Sequence, residues 1–230
     1  MQTTSGVLYV VSTPIGNLDD ITRRAVRVLE EVDAIIAEDT RKTSILLQHL
    51  NISKPLISYH EHNEHKRAGE LVDKLAAGAS LALVSDAGTP GISDPGFLIV
   101  RECLKHAINV VPVPGASALL AALTVSGLPM ERFVFEGFLP HKKGRRTRIE
   151  TLKDEERTVV LYESPHRILR TLRELRETLG DRRAVIGREL TKKFEELVRG
   201  TLSELEQHFE SKSVKGEFVL IVAGKKYKAK

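Results

Sequence analysis

The 230-residue sequence predicts an α/β protein of two domains: a mainly parallel, doubly wound sheet in the N-terminal half and a mixed α+β sheet in the C-terminal half. Three observations carry this. Short apolar runs alternate with amphipathic helical patterns over roughly the first 112 residues, the βα rhythm of a parallel sheet. Pro112-Val113-Pro114-Gly115 interrupts that rhythm, because proline cannot continue a helix. Beyond it, two neighbouring strand candidates with a short connection suggest antiparallel pairing. The expected division is 1–112, a linker at 113–115, and 116–230.

Residues 6–12 (Gly-Val-Leu-Tyr-Val-Val-Ser) form a buried-type first strand ending in Thr-Pro-Ile-Gly. Asp19 or Asp20 can cap the following helix, whose expected apolar face is Ile21, Ala25, Val28, Leu29 and Val32. Residues 34–37 make a second short strand. The next helix carries Ile45, Leu46 and Leu50, and 56–59 reads as a third strand. A helix over about 63–77 leads to the fourth strand, 81–84. The helix after that has Phe97, Val100, Cys103 and Leu104 at one-face spacing, and 108–111 is the fifth strand. After the linker, 116–126 reads as helix. Strands are expected near 133–136, 158–163, 184–189, 196–200 and 218–222, and helices near 144–153, 165–179 and 202–209.

The densest chemistry lies in 81–96. Leu81 to Val84 is a continuous apolar run, Ser85-Asp86 ends it, and 88–96 holds three Gly and two Pro, too many breakers for helix or strand. A carboxylate and a glycine-rich loop at the carboxyl edge of a parallel strand is where open α/β sheets bind ligands. The plainer alternative is a rigid loop with Asp94 as helix N-cap. No G-x-x-x-x-G-K-[ST] and no G-x-G-x-x-G opens a helix, so a ligand with few or no phosphates fits better than a nucleotide.

Ser85-Asp86-Ala87-Gly88-Thr89-Pro90 with Ile92-Ser93-Asp94-Pro95-Gly96 resembles the ribosomal RNA small subunit methyltransferase I family. Four more stretches match it in order: Ser12-Thr13-Pro14-Ile15-Gly16-Asn17-Leu18, Ala37-Glu38-Asp39-Thr40-Arg41, Pro112-Val113-Pro114-Gly115-Ala116-Ser117, and Tyr162-Glu163-Ser164-Pro165-His166-Arg167. The resemblance implies a class III, tetrapyrrole-methylase-like fold with S-adenosylmethionine in a cleft between two α/β domains. By the same resemblance Pro14, Gly16, Asp86, Gly88, Ile92, Ala116 and Ser117 are the cofactor-binding residues. It further implies 2′-O-methylation of a cytidine in 16S rRNA of the assembled small subunit, and a homodimer. The first loop is less glycine-rich than in the tetrapyrrole enzymes, which favours the RNA branch over a tetrapyrrole C-methyltransferase. A non-catalytic ribosome-associated RNA binder is the remaining alternative, against which the cofactor-type loops stand.

Glu38-Asp39-Thr40-Arg41 sets two acids and a base at a strand end. Asp39 is expected to orient or deprotonate the ribose hydroxyl and Arg41 to hold a phosphate; the competing reading is a helix cap with a local ion pair. His60 ends a strand on the same side and is a second candidate base. His60, His62 and His65 lack metalloprotease spacing and an accompanying Cys, so no metal is expected.

Lys142, Lys143, Arg145, Arg146 and Arg148 place five cations in seven positions of the basic segment 140–148. Such clusters contact phosphate backbones, and at a helix start they oppose the helix dipole, so they lack a stability rationale. Charge is divided accordingly: residues 1–130 hold 11 Lys+Arg and 14 Asp+Glu, whereas 131–230 hold 24 and 17. A basic second half suits a polyanionic partner. The chain is 41% apolar and 29% charged, with one cysteine, no membrane-length apolar run and no signal-like N-terminus. These features point to a cytoplasmic protein without disulfides, Cys103 serving core packing and the C-terminal tail being Lys-rich.

Overall fold

The computed structural model describes residues 6–210 and 214–228, so the first five residues and the end of the Lys-rich tail lie outside it. The chain divides into two compact units, 1–117 and 118–230.

The first unit is a five-stranded parallel sheet in the order β3-β2-β4-β1-β5, from β1 (Val7–Val11), β2 (Ala34–Ala37), β3 (Leu56–Ser58), β4 (Leu81–Val84) and β5 (Asn109–Val113). α1 (Arg23–Glu31) and α2 (Thr40–His49) share one face; α3 (Glu64–Ala76) and α4 (Phe97–Lys105) share the other. The period-two side-chain rule explains the two cores. Ile36, Leu81 and Leu83 point to α3 and α4, and Ile35, Ala82 and Val84 to α1 and α2. β2 and β4 are buried at every position, as expected of strands covered on both sides. Since β1 and β2 lead to one face and β4 to the other, the sheet changes winding direction on both sides of β4.

The structure corrects several local expectations. Thr22, not Asp19 or Asp20, caps α1; the two acids sit in a 3-10 turn capped by Asn17. Asp94 does not cap α4, because Gly96 holds that position with φ 149°. α4 buries Leu98, Ile99 and Cys103 and exposes Phe97 and Leu104, and in α2 Ile45 is exposed while Leu46 and Leu47 are buried. Both helices begin or run through consecutive apolar residues, so spacing alone cannot choose the face.

The second unit opens with α5 (Ala118–Thr124) and builds a mixed sheet, β6-β7-β10-β8-β9. Its strands are β6 (Phe133–Phe138), β7 (Thr158–Glu163), β8 (Arg183–Arg188), β9 (Glu196–Thr201) and β10 (Phe218–Val222). β6 and β7 are parallel; every other pairing is antiparallel, including the β8–β9 hairpin. α6 (Arg145–Thr151), α7 (Ile168–Leu179) and α8 (Leu202–Glu210) pack on one face through Ile149, Leu172, Leu175, Leu205 and Phe209. A bulge between Phe135 and Gly137, with Gly137 at φ 62°, shifts the register within β6, and Phe138 beyond it is exposed.

Candidate active site

Three carboxyl ends of the first sheet are tied together at adjacent strands. Thr13 after β1 and Gly88 after β4 exchange backbone hydrogen bonds of 2.8 and 3.1 Å. The Ser12 and Thr89 hydroxyls lie 2.9 Å apart, and Thr89 donates to the Ala116 carbonyl at 3.2 Å. Gly115 has to be glycine here, since a Cβ would sit 2.9 Å from that of Ser12. The loops carrying Pro14 and Gly16, Gly88 and Ile92, and Ala116 and Ser117 are thereby brought to one edge. Four residues of the β4–α4 loop adopt left-handed backbone: Gly88 (φ 79°), Gly91 (83°), Ser93 (66°) and Gly96 (149°). At Gly88 a Cβ would also press on Ile15 at 3.3 Å. Pro14 is buried, while Gly16 and Ile92 are exposed at the rim.

On the other flank of β4, Asp86 joins the β2 loop. One carboxylate oxygen accepts the Asp39 N–H at 3.0 Å and the other accepts Lys42 Nζ at 2.7 Å. Lys42 was not singled out from sequence; its position one turn into α2 gives no hint of a partner 44 residues away. The surrounding acids differ in proton affinity. Asp94 is pushed up to about 6 by burial and by the charge of Glu38, against a hydrogen bond from Ser85. Glu38 is also raised, first by burial and then by Asp86.

Asp39 has the cap-and-ion-pair geometry. Its side chain accepts the Arg41 N–H at 2.9 Å, capping α2, and binds the Arg41 guanidinium in two places at 3.0 and 2.7 Å. Those hydrogen bonds hold its carboxyl far below the usual range. A carboxylate with so little proton affinity is a poor base, so of the two expected roles of Asp39 this geometry favours orientation over deprotonation. Arg41 itself is solvent-facing, with its side chain 88% exposed. His60 follows the edge strand β3, two strand spacings (roughly 10 Å) from β4. Asn63 accepts its backbone N–H at 2.9 Å and its amide lies 3.1 Å from Nε2. His60 is therefore held by its own turn, just after the strand that pairs with β2, which leads to Asp39.

In the second unit the basic segment splits. Lys142, Lys143, Arg146 and Arg148 are exposed, Arg148 pairing with Glu136 at 2.5 Å. Arg145 is buried, which removes it from the expected RNA surface. It donates to Glu174 (2.6 Å), to the Thr171 hydroxyl (2.6 Å) and to the Pro140 carbonyl (3.3 Å). Thr171 donates in turn to Glu163 (2.7 Å), whose other oxygen pairs with Arg167 (2.7 Å). Arg167 reaches the Leu139 carbonyl at 3.1 Å. The Glu163–Arg167 motif is thus the anchor of the basic loop, a role the sequence did not disclose.

The edge offers backbone at glycines, hydroxyls, acids and the apolar Ile15 and Ile92, and no built phosphate cradle. That donor set suits the adenine, ribose and amino-acid ends of adenosylmethionine, with apolar contact for its methyl-bearing sulfonium.

A parallel sheet with this edge, followed by a mixed sheet, is the architecture of the tetrapyrrole (corrin/porphyrin) methylases, whose family model matches residues 7–206. The fold is shared with the uroporphyrin-III C-methyltransferase from Thermus thermophilus solved with S-adenosyl homocysteine, at a TM-score of 0.67 and 21% identity, covering 95% of this chain and 97% of that one. The chain is 55% identical over 221 residues to the ribosomal RNA small subunit methyltransferase I of Synechocystis sp., covering 95% of this chain and 79% of that protein. It is 51% identical over 220 residues to that of Thermotoga maritima, covering 96% and 99%. The chain belongs to the ribosomal RNA small subunit methyltransferase I family within that class.

Proposed function

We propose that the protein is an S-adenosylmethionine-dependent rRNA methyltransferase that methylates the 2′-hydroxyl of a cytidine in 16S rRNA of the assembled small subunit. The observation that carries the rRNA methyltransferase reading is identity above 50% across nearly the whole chain to proteins named ribosomal RNA small subunit methyltransferase I, and the ribose of a cytidine is our finer reading of it. The tetrapyrrole alternative has only fold-level likeness behind it. Bound at the edge of the first sheet, the cofactor supplies an electrophilic methyl group. Pro14, Gly16, Asp86, Gly88, Ile92, Ala116 and Ser117 hold it, and Arg41 presents a guanidinium for a phosphate beside the target ribose. Asp39 orients Arg41. Among the acids at this edge Asp94, pushed up to about 6, has the proton affinity suited to accepting the hydroxyl proton, and Glu38 beside it is raised by burial and by Asp86. Holding hydroxyl and methyl in line supplies much of the acceleration. A homodimer in the cytoplasm is part of this reading.

The test is transfer of a labelled methyl group from adenosylmethionine to small subunits from cells lacking this modification. The expected product is one alkali-resistant dinucleotide containing a ribose-methylated cytidine, formed with whole subunits and not with protein-free RNA. Label on a base, or on a tetrapyrrole instead of RNA, overturns the proposal.

A further inference from the structure

We propose that the tip of the β8–β9 hairpin is a nucleobase platform, on which Phe194, with Lys193 over its ring, stacks an unpaired base of the RNA substrate. The inference rests on the rRNA reading above. Topology places the hairpin at the same end of the second sheet as the basic loop. β6 and β7 are parallel, and β7 and β8 are both antiparallel to β10, so the carboxyl ends of β6, β7 and β8 lie at one end of the second sheet. That end carries the loop with Lys142 and Lys143 and, three strand spacings (roughly 14 Å) along the sheet, the 189–195 hairpin.

The hairpin is built to hold its shape. Glu189 and Thr191 take left-handed backbone, with φ 48° and 66°. Glu189 receives the Glu217 N–H at 3.0 Å, and Lys192 is clamped between Glu189 (2.9 Å) and Glu217 (2.8 Å). The Thr191 N–H is taken by Glu195 at 2.5 Å, and Leu190 is buried against Gly187. This scaffold nevertheless leaves Phe194 68% exposed, with Lys193 Nζ 5.7 Å from the ring centroid. A lone exposed apolar residue is ordinary. A rigidly presented ring with a cation on it, at the end of a basic sheet, has the composition that stacks bases while drawing in the backbone. The unit carrying it holds 24 Lys+Arg against 17 Asp+Glu, which favours a polyanion over an acidic-averse apolar partner.

The chain contains no tryptophan, so F194W places a single reporter on the platform. Binding of wild type, F194A and F194W to small subunits and to protein-free small-subunit RNA is measured across salt concentration. F194A is expected to bind both about tenfold more weakly with an unchanged salt slope, because stacking releases no counterions. F194W is expected to retain affinity, its emission quenched on binding RNA. Wild-type affinity in F194A, or unquenched emission from bound F194W, overturns the platform while leaving the rRNA reading intact. A loss confined to whole subunits also overturns it, in favour of a protein contact. Failure of the wild type to bind either probe removes the rRNA reading and the platform together.

Discussion

Asp94 keeps its proton to about pH 6 because it is half-buried and lies near Glu38, and ionising it in the fold is unfavourable. Unfolded, the same group titrates near the ordinary aspartate value. Between the two the native state holds the extra proton, so this group's contribution to stability falls as pH rises from about 4 to about 6. Asp94→Asn is therefore expected to raise stability at pH 7.5 by on the order of 1–2 kcal/mol, allowing for partial solvent screening, and to change little at pH 4. Denaturant melts at the two pH values measure it; an equal effect at both would place the burial cost elsewhere. Asp39 stands at the opposite extreme. With its carboxyl engaged by Arg41, Asp39→Asn keeps a capping side chain and is expected to leave the single-turnover rate at saturating RNA within about threefold. The half-saturating RNA concentration should rise instead, as Arg41 loses its orientation. A large fall in the saturated rate would restore Asp39 as the base.

At the scale of single elements, the 139–148 segment contains two kinds of cation. Lys142 and Lys143 are exposed, whereas Arg145 is buried and binds Glu174, Thr171 and the Pro140 carbonyl. Arg145→Met is expected to cost about 3–5 kcal/mol, the range for removing one partner of a buried ion pair, and to loosen the basic loop. Lys142→Gln with Lys143→Gln should leave the melting curve in place and reduce the salt slope of RNA binding by roughly two. The reverse pattern would mean that the two cation classes had been exchanged. Which was which could not be read from the sequence, since Arg145 and its partners Glu163 and Glu174 are separated by a helix and a strand. Local signals were legible. The ten strands among the described residues lie within two residues of where they were expected, most of them from apolar runs bounded by breakers, and the 81–96 stretch announced itself through its Gly and Pro. The buried face of α4 was not legible, because Phe97-Leu98-Ile99-Val100 offers the core an apolar side chain at every angle.

For the molecule as a whole, cofactor binding in the first unit is expected to be independent of the basic loop in the second. Saturating adenosylmethionine stabilises whatever fold it binds, by about 2.7 kcal/mol at a hundredfold excess over Kd. Asp86→Ala should abolish most of that stabilisation, since Asp86 ties the β2 and β4 loops together. Lys142→Gln with Lys143→Gln should leave it untouched. Thermal shift assays with and without cofactor distinguish the two variants, and loss of the shift in both would show that the basic loop also shapes the cofactor site.

β10 has a consequence for how the chain is made. Every strand of the first sheet has emerged by Val113, with its parallel neighbours and all the crossover helices between strands already synthesised. The second sheet has its central strand last in order. Phe218–Val222 pairs with β7 on one side and β8 on the other, and until it arrives both are open edges with apolar faces. During translation the first unit can close early while β6 to β9 wait as an incomplete sheet, the state most exposed to misassembly. Ribosomes stalled before residue 218 should thus display a protease-resistant first unit and a sensitive second one, with resistance spreading only after β10 has left the ribosome.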